Sequence, residues 1–218
     1  MLVRSFPAPM FATNCWVIAP DAGGECIIVD PGMPDISSEI SLIIEESGLK
    51  PVAALITHGH LDHHFSIRPL ADGYDIPTYI HSEDRRFLEN PGEIVGSDFR
   101  AQIGAMKFEE PKRVIELKNG TSLELLGVPI VAIHAPGHTR GSVMFTVADE
   151  ILLSGDVLFA GSIGRTDLPT GSASEMDQTL KNKVLPLNDD LRVLPGHGPE
   201  TTIKFERKNN PYLKELSV

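Results

Sequence analysis

The run His58-Gly59-His60-Leu61-Asp62-His63 puts three imidazoles and a carboxylate into one short segment. Alternate residues of an extended loop point the same way. His58, His60 and Asp62 are therefore expected on one side, and a turn into a following helix brings His63 round to join them. Imidazole and carboxylate are donors that zinc, iron and manganese accept. Three further segments at strand ends carry residues of the same kind: His134-Ala-Pro-Gly-His138-Thr-Arg-Gly141, Ser154-Gly155-Asp156 and Pro195-Gly196-His197-Gly198. The Pro136-Gly137 turn aims His138 outward, whereas His134 reads as a support. The two oxygens of Asp156 can each bind one metal, or they can simply accept backbone hydrogen bonds at the end of a strand. A lone histidine is more often a satisfied core residue than a ligand. Four strand ends carrying such residues argue instead for one metal site at one edge of the fold.

Short apolar runs separated by turn signals supply those strand ends. Strands are expected at 15–19, 25–29, 51–56, 77–80, 113–117, 121–126, 128–134, 142–147, 150–154 and 191–194. Ile36, Ile40, Ile43 and Ile44 share one face of a helix that Asp35 can cap and Gly48 can close. Further helices are expected at 64–70, 82–88, 174–184 and 200–208, while 91–110 shows poor periodicity and reads as a mobile loop. Strands in two sets with helices between and after them suggest an α+β fold, with two packed sheets and helices on the outer faces.

The composition limits the alternatives. With 218 residues, 41% of them hydrophobic, the chain suits one domain with a sizeable core. A net charge of −11 and the lack of any basic run speak against a nucleic-acid partner. The densest cationic stretch, Lys204 to Lys208, is interrupted by Glu206 and reads as a helix face. No apolar run approaches the roughly 20 residues of a membrane span, and the first ten residues lack a signal-peptide core. A cytoplasmic protein with no membrane partner is expected. Cys15 and Cys26 lie in apolar strand segments outside any C-x-x-C pattern and read as buried free thiols.

Taken in order, Asp30-Pro31-Gly32, His58-x-His60-x-Asp62-His63, Pro136-Gly137-His138-Thr139, Gly155-Asp156 and Gly196-His197-Gly198 resemble the motif set of the metallo-β-lactamase superfamily, from about Asn14 to His197. The resemblance implies a four-layer αββα sandwich formed by residues 1–218 as a single domain. It also implies two divalent metal ions, zinc by default with iron or manganese acceptable. Carried over by position, one metal takes His58, His60 and His138, the other takes Asp62, His63 and His197, and Asp156 bridges them. Asp62 and Asp156 would be catalytic through the metals, with a metal-bridging hydroxide attacking a carbonyl and no Ser or Cys nucleophile, so Ser142 and Ser154 read as structural.

Within the superfamily the chain looks most like small bacterial glyoxalase II-like (hydroxyacylglutathione hydrolase-like) thioesterases, through Thr13-Asn14-Cys15, Gly161 to Asp167, Pro195 to Ile203 and Asn210-Pro211-Tyr212-Leu213. The implied substrate is S-D-lactoylglutathione or a related small-molecule thioester. Larger members add a C-terminal helical domain that grips glutathione, and too little chain follows His197 for a full one. Arg165 falls near a basic substrate contact of those enzymes and Lys214 resembles another, although each also reads as a solvated surface charge. The alternatives are a mononuclear iron persulfide dioxygenase, a lactonase, and a non-catalytic metal-binding protein on the same fold. A β-lactamase or an RNA-processing relative fits less well.

Overall fold

The computed structural model describes residues 1–216. The first sheet takes its strands in sequence order: β1 (Leu2–Pro7), β2 (Asn14–Ala19), β3 (Glu25–Val29), β4 (Lys50–Leu55), β5 (Thr78–His81) and β6 (Val114–Leu117). β1, β2 and β3 pair antiparallel, and β3 to β6 pair parallel. In the second sheet β7 (Ser122–Leu125), β8 (Val128–His134), β9 (Val143–Val147) and β10 (Ile151–Gly155) form an antiparallel meander. It continues through β13 (Arg192–Pro195), parallel to β10, to β14 (Thr201–Thr202). A small hairpin, β11 (Leu158–Phe159) with β12 (Ser162–Ile163), lies between β10 and β13 in sequence.

Side-chain alternation along the strands builds the layers. Trp16, Ile18, Ile27, Val29 and Leu55 of the first sheet meet Ile130, Val143, Phe145, Ile151 and Leu153 of the second. The intervening residues of the first sheet, Cys15, Val17, Cys26, Ile28 and Ala54, pack outward under α1 (Ser37–Glu46) and α3 (Ile67–Tyr74). Met144, Leu152 and Val193 of the second sheet pack outward against α5 (Ala173–Thr179), the turn of π-helix that continues it over Leu180–Val184, α6 (Ile203–Asn209) and α7 (Pro211–Leu216). The result is the expected αββα sandwich.

Several local expectations hold and others are corrected. α1 buries Ile40 and Ile44, and Ile36 is buried just ahead of its first turn. Asp35 accepts the Ser37 N–H ahead of its first turn. At its end Gly48 N–H reaches Glu45 O and Leu49 N–H reaches Ile44 O, a pair of bonds that terminates a helix after a left-handed residue. The 64–70 helix divides into α2 (Leu61–His64) and α3. Segment 91–110, read as an aperiodic loop, instead contains a 3-10 turn at Pro91–Glu93 and α4 (Ser97–Ile103). Ile94, Val95 and Ile103 there bury themselves against Met33, Leu61 and Phe87. The helix expected at 200–208 starts later, because Thr201 and Thr202 first pair with β13 and the Thr202 hydroxyl then accepts Phe205 N–H as a cap. Both thiols are buried and free. β2–β3 pairs Trp16 with Val29 and Ile18 with Ile27, and so leaves Cys15 and Cys26 out of register with each other.

Candidate metal centre

β8, β10 and β13 run in one direction, so the segments after all three emerge at one edge of the second sheet. The loop after β4 meets them there, joined by Val143 N–H to Thr57 O at 2.8 Å. This edge brings His58, His60, Asp62, His63, His138, Asp156 and His197 together. Their donor atoms form three overlapping groups: His58, His60 and His138; Asp62, His63 and His197; and His58, His63 and Asp156.

The hydrogen bonds at the far side of four of the rings fix which nitrogen is free. His138 Nδ1 donates to Arg165 O at 2.7 Å. His58 Nδ1 donates to Thr57 Oγ1 at 3.1 Å, and the Thr57 hydroxyl donates to Asp30 at 2.6 Å. The Nε2 atoms of His58 and His138 are therefore bare, yet they face each other at 3.2 Å. His60 Nδ1 lies 2.8 Å from the same His138 atom. In the other group His63 Nδ1 donates to Asp30 at 2.9 Å and His197 Nδ1 donates to Phe11 O at 3.0 Å. Again two Nε2 atoms meet, at 3.2 Å, here beside the Asp62 and Asp156 carboxylates. Lone pairs directed at one another, as on His58 and His138, repel in a buried site unless a cation lies between them, and the second group sets two imidazoles against carboxylates, so each donor set fits a metal ion.

Asp156 stands between the groups. Its Oδ1 is 3.5 Å from His63 Nε2, and its Oδ2 is 3.4 Å from His138 Nε2 and 3.5 Å from His197 Nε2. Oδ1 is buried without a hydrogen-bond partner, which a native interior rarely tolerates. Asp62 Oδ2 reaches His63 Nε2 at 3.5 Å and His197 Nε2 at 3.4 Å while accepting the Thr13 hydroxyl at 2.8 Å. A Cβ on Gly196 would fall 2.2 Å from Asp156 Oδ1, so this close approach needs glycine.

Charge differs between the two halves. Burial, reinforced by neighbouring imidazoles, holds His58 and His60 well below the usual histidine range. Burial also disfavours the His63 cation, but Asp156, Asp62 and Asp30 outweigh it and push that imidazole up to about 10. Burial raises and His63 lowers the Asp62 carboxyl, and the net shift is downward. In the first half His58 and His60 are thus neutral imidazoles, and the second is a carboxylate-rich half.

Parts of the sequence that are not donors hold the site in place. Asp30 sits at φ +49°, a conformation unusual for a residue other than glycine. There its carboxylate accepts both Thr57 donors and His63. Asn14 Nδ2 donates to Pro195 O and Gly198 O, and Trp16 Nε1 donates to Pro195 O, so Thr13-Asn14 and Trp16 brace the His197 loop and Asp62. His134 stacks flat on His81 with centroids 4.1 Å apart, a support as its sequence position suggested. Ser154 donates to Leu158 O, and Ser142 hydrogen bonds within the His138 loop. Sequence reasoning missed Asp84, a buried carboxylate bonded to both the His58–His60 and His138 loops. No motif marks it.

A cavity of about 660 Å³ opens over the cluster. Phe11, Val95, Phe99, Phe159 and Leu168 give it an apolar wall, with Phe11 and Phe99 edge to face at 5.3 Å. Arg165 contributes to the rim, and its guanidinium is held in two bonds to Asp167 at 2.7 and 2.8 Å. Lys214 is exposed on α7 and does not line the cavity.

A double sandwich with His and Asp donors converging at one edge defines a class of metal-dependent hydrolases, and comparison with known proteins agrees. The model of the metallo-β-lactamase superfamily matches residues 8–197, and the chain belongs to that superfamily. An uncharacterized Mycobacterium leprae protein is 45% identical over 99% of this chain and all of its own length. The Haemophilus influenzae protein named hydroxyacylglutathione hydrolase GloC is 35% identical, over the full length of both. Among solved structures, the BLEG-1 B3 metallo-β-lactamase superposes with a TM-score of 0.85 at 33% identity, covering 97% of this chain and 99% of its own. TTHA1623, solved in a di-iron-bound form, gives 0.78 at 31%, covering 98% and 100%.

Proposed function

We propose that this hydrolase is a glyoxalase II-like thioesterase that opens S-D-lactoylglutathione or a related small thioester. His58, His60 and His138 would hold one divalent cation and Asp62, His63 and His197 a second, with Asp156 within reach of both groups. The carrying observation is the pair of imidazole Nε2–Nε2 contacts at 3.2 Å on either side of Asp156. Full-length likeness to the Haemophilus influenzae protein supports the thioester. Bound there, two cations lower the pKa of water from about 15.7 toward about 7 and polarise a carbonyl.

The chain's own residues do the rest. Asp30 and Arg165 O keep His63 and His138 in the tautomers that present Nε2. Thr13 holds Asp62 in place. The wall formed by Phe11, Val95 and Phe99 excludes water and packs the apolar part of a substrate. Arg165 is the nearest candidate for a substrate carboxylate, in exchange for Asp167. Lys214 could contact only a substrate that extends out of the cavity.

Similarity to the BLEG-1 structure favours β-lactam hydrolysis as the second reading. The test is turnover by metal-replete protein of S-D-lactoylglutathione, a chromogenic β-lactam, a homoserine lactone and, with oxygen, glutathione persulfide. Thioester hydrolysis well above the other three is the expected result. No thioester turnover, with any of the others consumed, contradicts the proposal.

A further inference from the structure

Between the loops that carry His58, His60 and His138 lies the carboxylate of Asp84, fully buried just beyond β5. Its Oδ2 accepts Gly59 N–H at 2.8 Å and the Thr139 hydroxyl at 2.6 Å, and its Oδ1 accepts Gly141 N–H at 2.8 Å. Gly59 separates the two histidines supplied by the first sheet, and Thr139 directly follows the one supplied by the second. Ser142 extends the chain of bonds, accepting Thr139 N–H at 3.0 Å and lying 2.8 Å from the Thr139 hydroxyl. A Cβ on Gly141 would stand 2.5 Å from Asp84 Cγ, so the second loop reaches the carboxylate as bare backbone.

These bonds tie one half of the site across the gap between the sheets. The other half makes no bond to Asp84: Asp30 holds His63 and also reaches His58 through Thr57, Thr13 holds Asp62, and Phe11 O and the Asn14-braced loop hold His197. Donors that come from two sheets keep their spacing only if something fixes one loop against the other. Partners of this kind, one step removed from the metal, are worth about 10–100-fold in metal affinity.

We propose that Asp84 is a positioning residue that sets the spacing of His58 and His60 against His138, and so the cation affinity of that half of the site alone. The inference rests on the two-cation reading above. The experiment is competitive titration of the full chain with zinc against a chromophoric chelator, and with cobalt followed by visible absorption. Wild type, Asp84→Asn and Thr139→Val are compared, each checked for fold by circular dichroism. In Asp84→Asn one of two zinc affinities falls about 10–100-fold while the other holds, and the cobalt absorption of the three-imidazole half is lost first. Thr139→Val shifts the same affinity by less.

Equal weakening of both affinities, or two unchanged affinities in a folded Asp84→Asn, overturns the assignment. If that variant does not fold, an unchanged ratio of affinities in Thr139→Val overturns it. A wild type that binds only one cation contradicts the two-cation reading instead, so the two failures are distinct.

Discussion

Asp156 directs one carboxylate oxygen toward His63 and the other toward His138 and His197, and the first of these oxygens has no protein partner. Its replacement by alanine therefore removes the one side chain common to both halves. Asp156→Ala is expected to lower thioester turnover at least about 1000-fold, roughly 4 kcal/mol of transition-state stabilisation. Steady-state kinetics on folded, metal-loaded variant protein check this, and near-normal turnover would show that the carboxylate is not shared. At this scale the sequence was informative where residue type and spacing coincide. All seven candidate donors meet in the structure because each lies in a segment that follows a strand end. Asp30 appeared as a motif element, but its bond to His63 depends on a register that a single sequence does not reveal. Asp84 and Glu206 were illegible. Each is a single carboxylate, and only the tertiary fold supplies its donors.

At the scale of elements, the central strands were readable as short apolar runs because both faces of each sheet are covered. β8 runs over Val128–His134 and β3 over Glu25–Val29, as expected. The edges were not readable in this way. β1 has a mixed burial pattern and its place is fixed by pairing with β2. α4 is only seven residues long, and its apolar residues pack against Phe87 and Met33 rather than along an extended helical face.

Glu206 shows how tertiary context can reverse a local reading. Read only as an interruption in a cationic helix face, it is fully buried and accepts Gly161 N–H, the Thr201 hydroxyl and Asn210 Nδ2. Asn210 Nδ2 also donates to Ser162 O, so α6 and the start of α7 anchor the β11–β12 hairpin that leads to Phe159 and Arg165 at the cavity. Glu206→Ala strands buried donors at about 1–3 kcal/mol each. A loss of about 3 kcal/mol or more in urea denaturation is expected, with a rise in KM as the cavity wall loosens. A loss within about 0.5 kcal/mol would place Glu206 on an ordinary surface.

Over the whole molecule, two sheets packed face to face bring donors from distant parts of the chain to one edge, and helices on both outer faces complete the burial of the core. Among the described residues no helix is long and apolar enough to cross a membrane. A net charge of −11 would repel an anionic substrate, and cations at the site would reverse that field where the reaction takes place. Burying this many imidazoles and carboxylates is costly, and cation binding is the interaction that offsets it. The central claim is therefore the number of cations. Elemental analysis of chain loaded with excess zinc and then freed of loosely held metal measures it directly. Two zinc ions per folded chain is the predicted result, and one per chain at saturation would contradict the account.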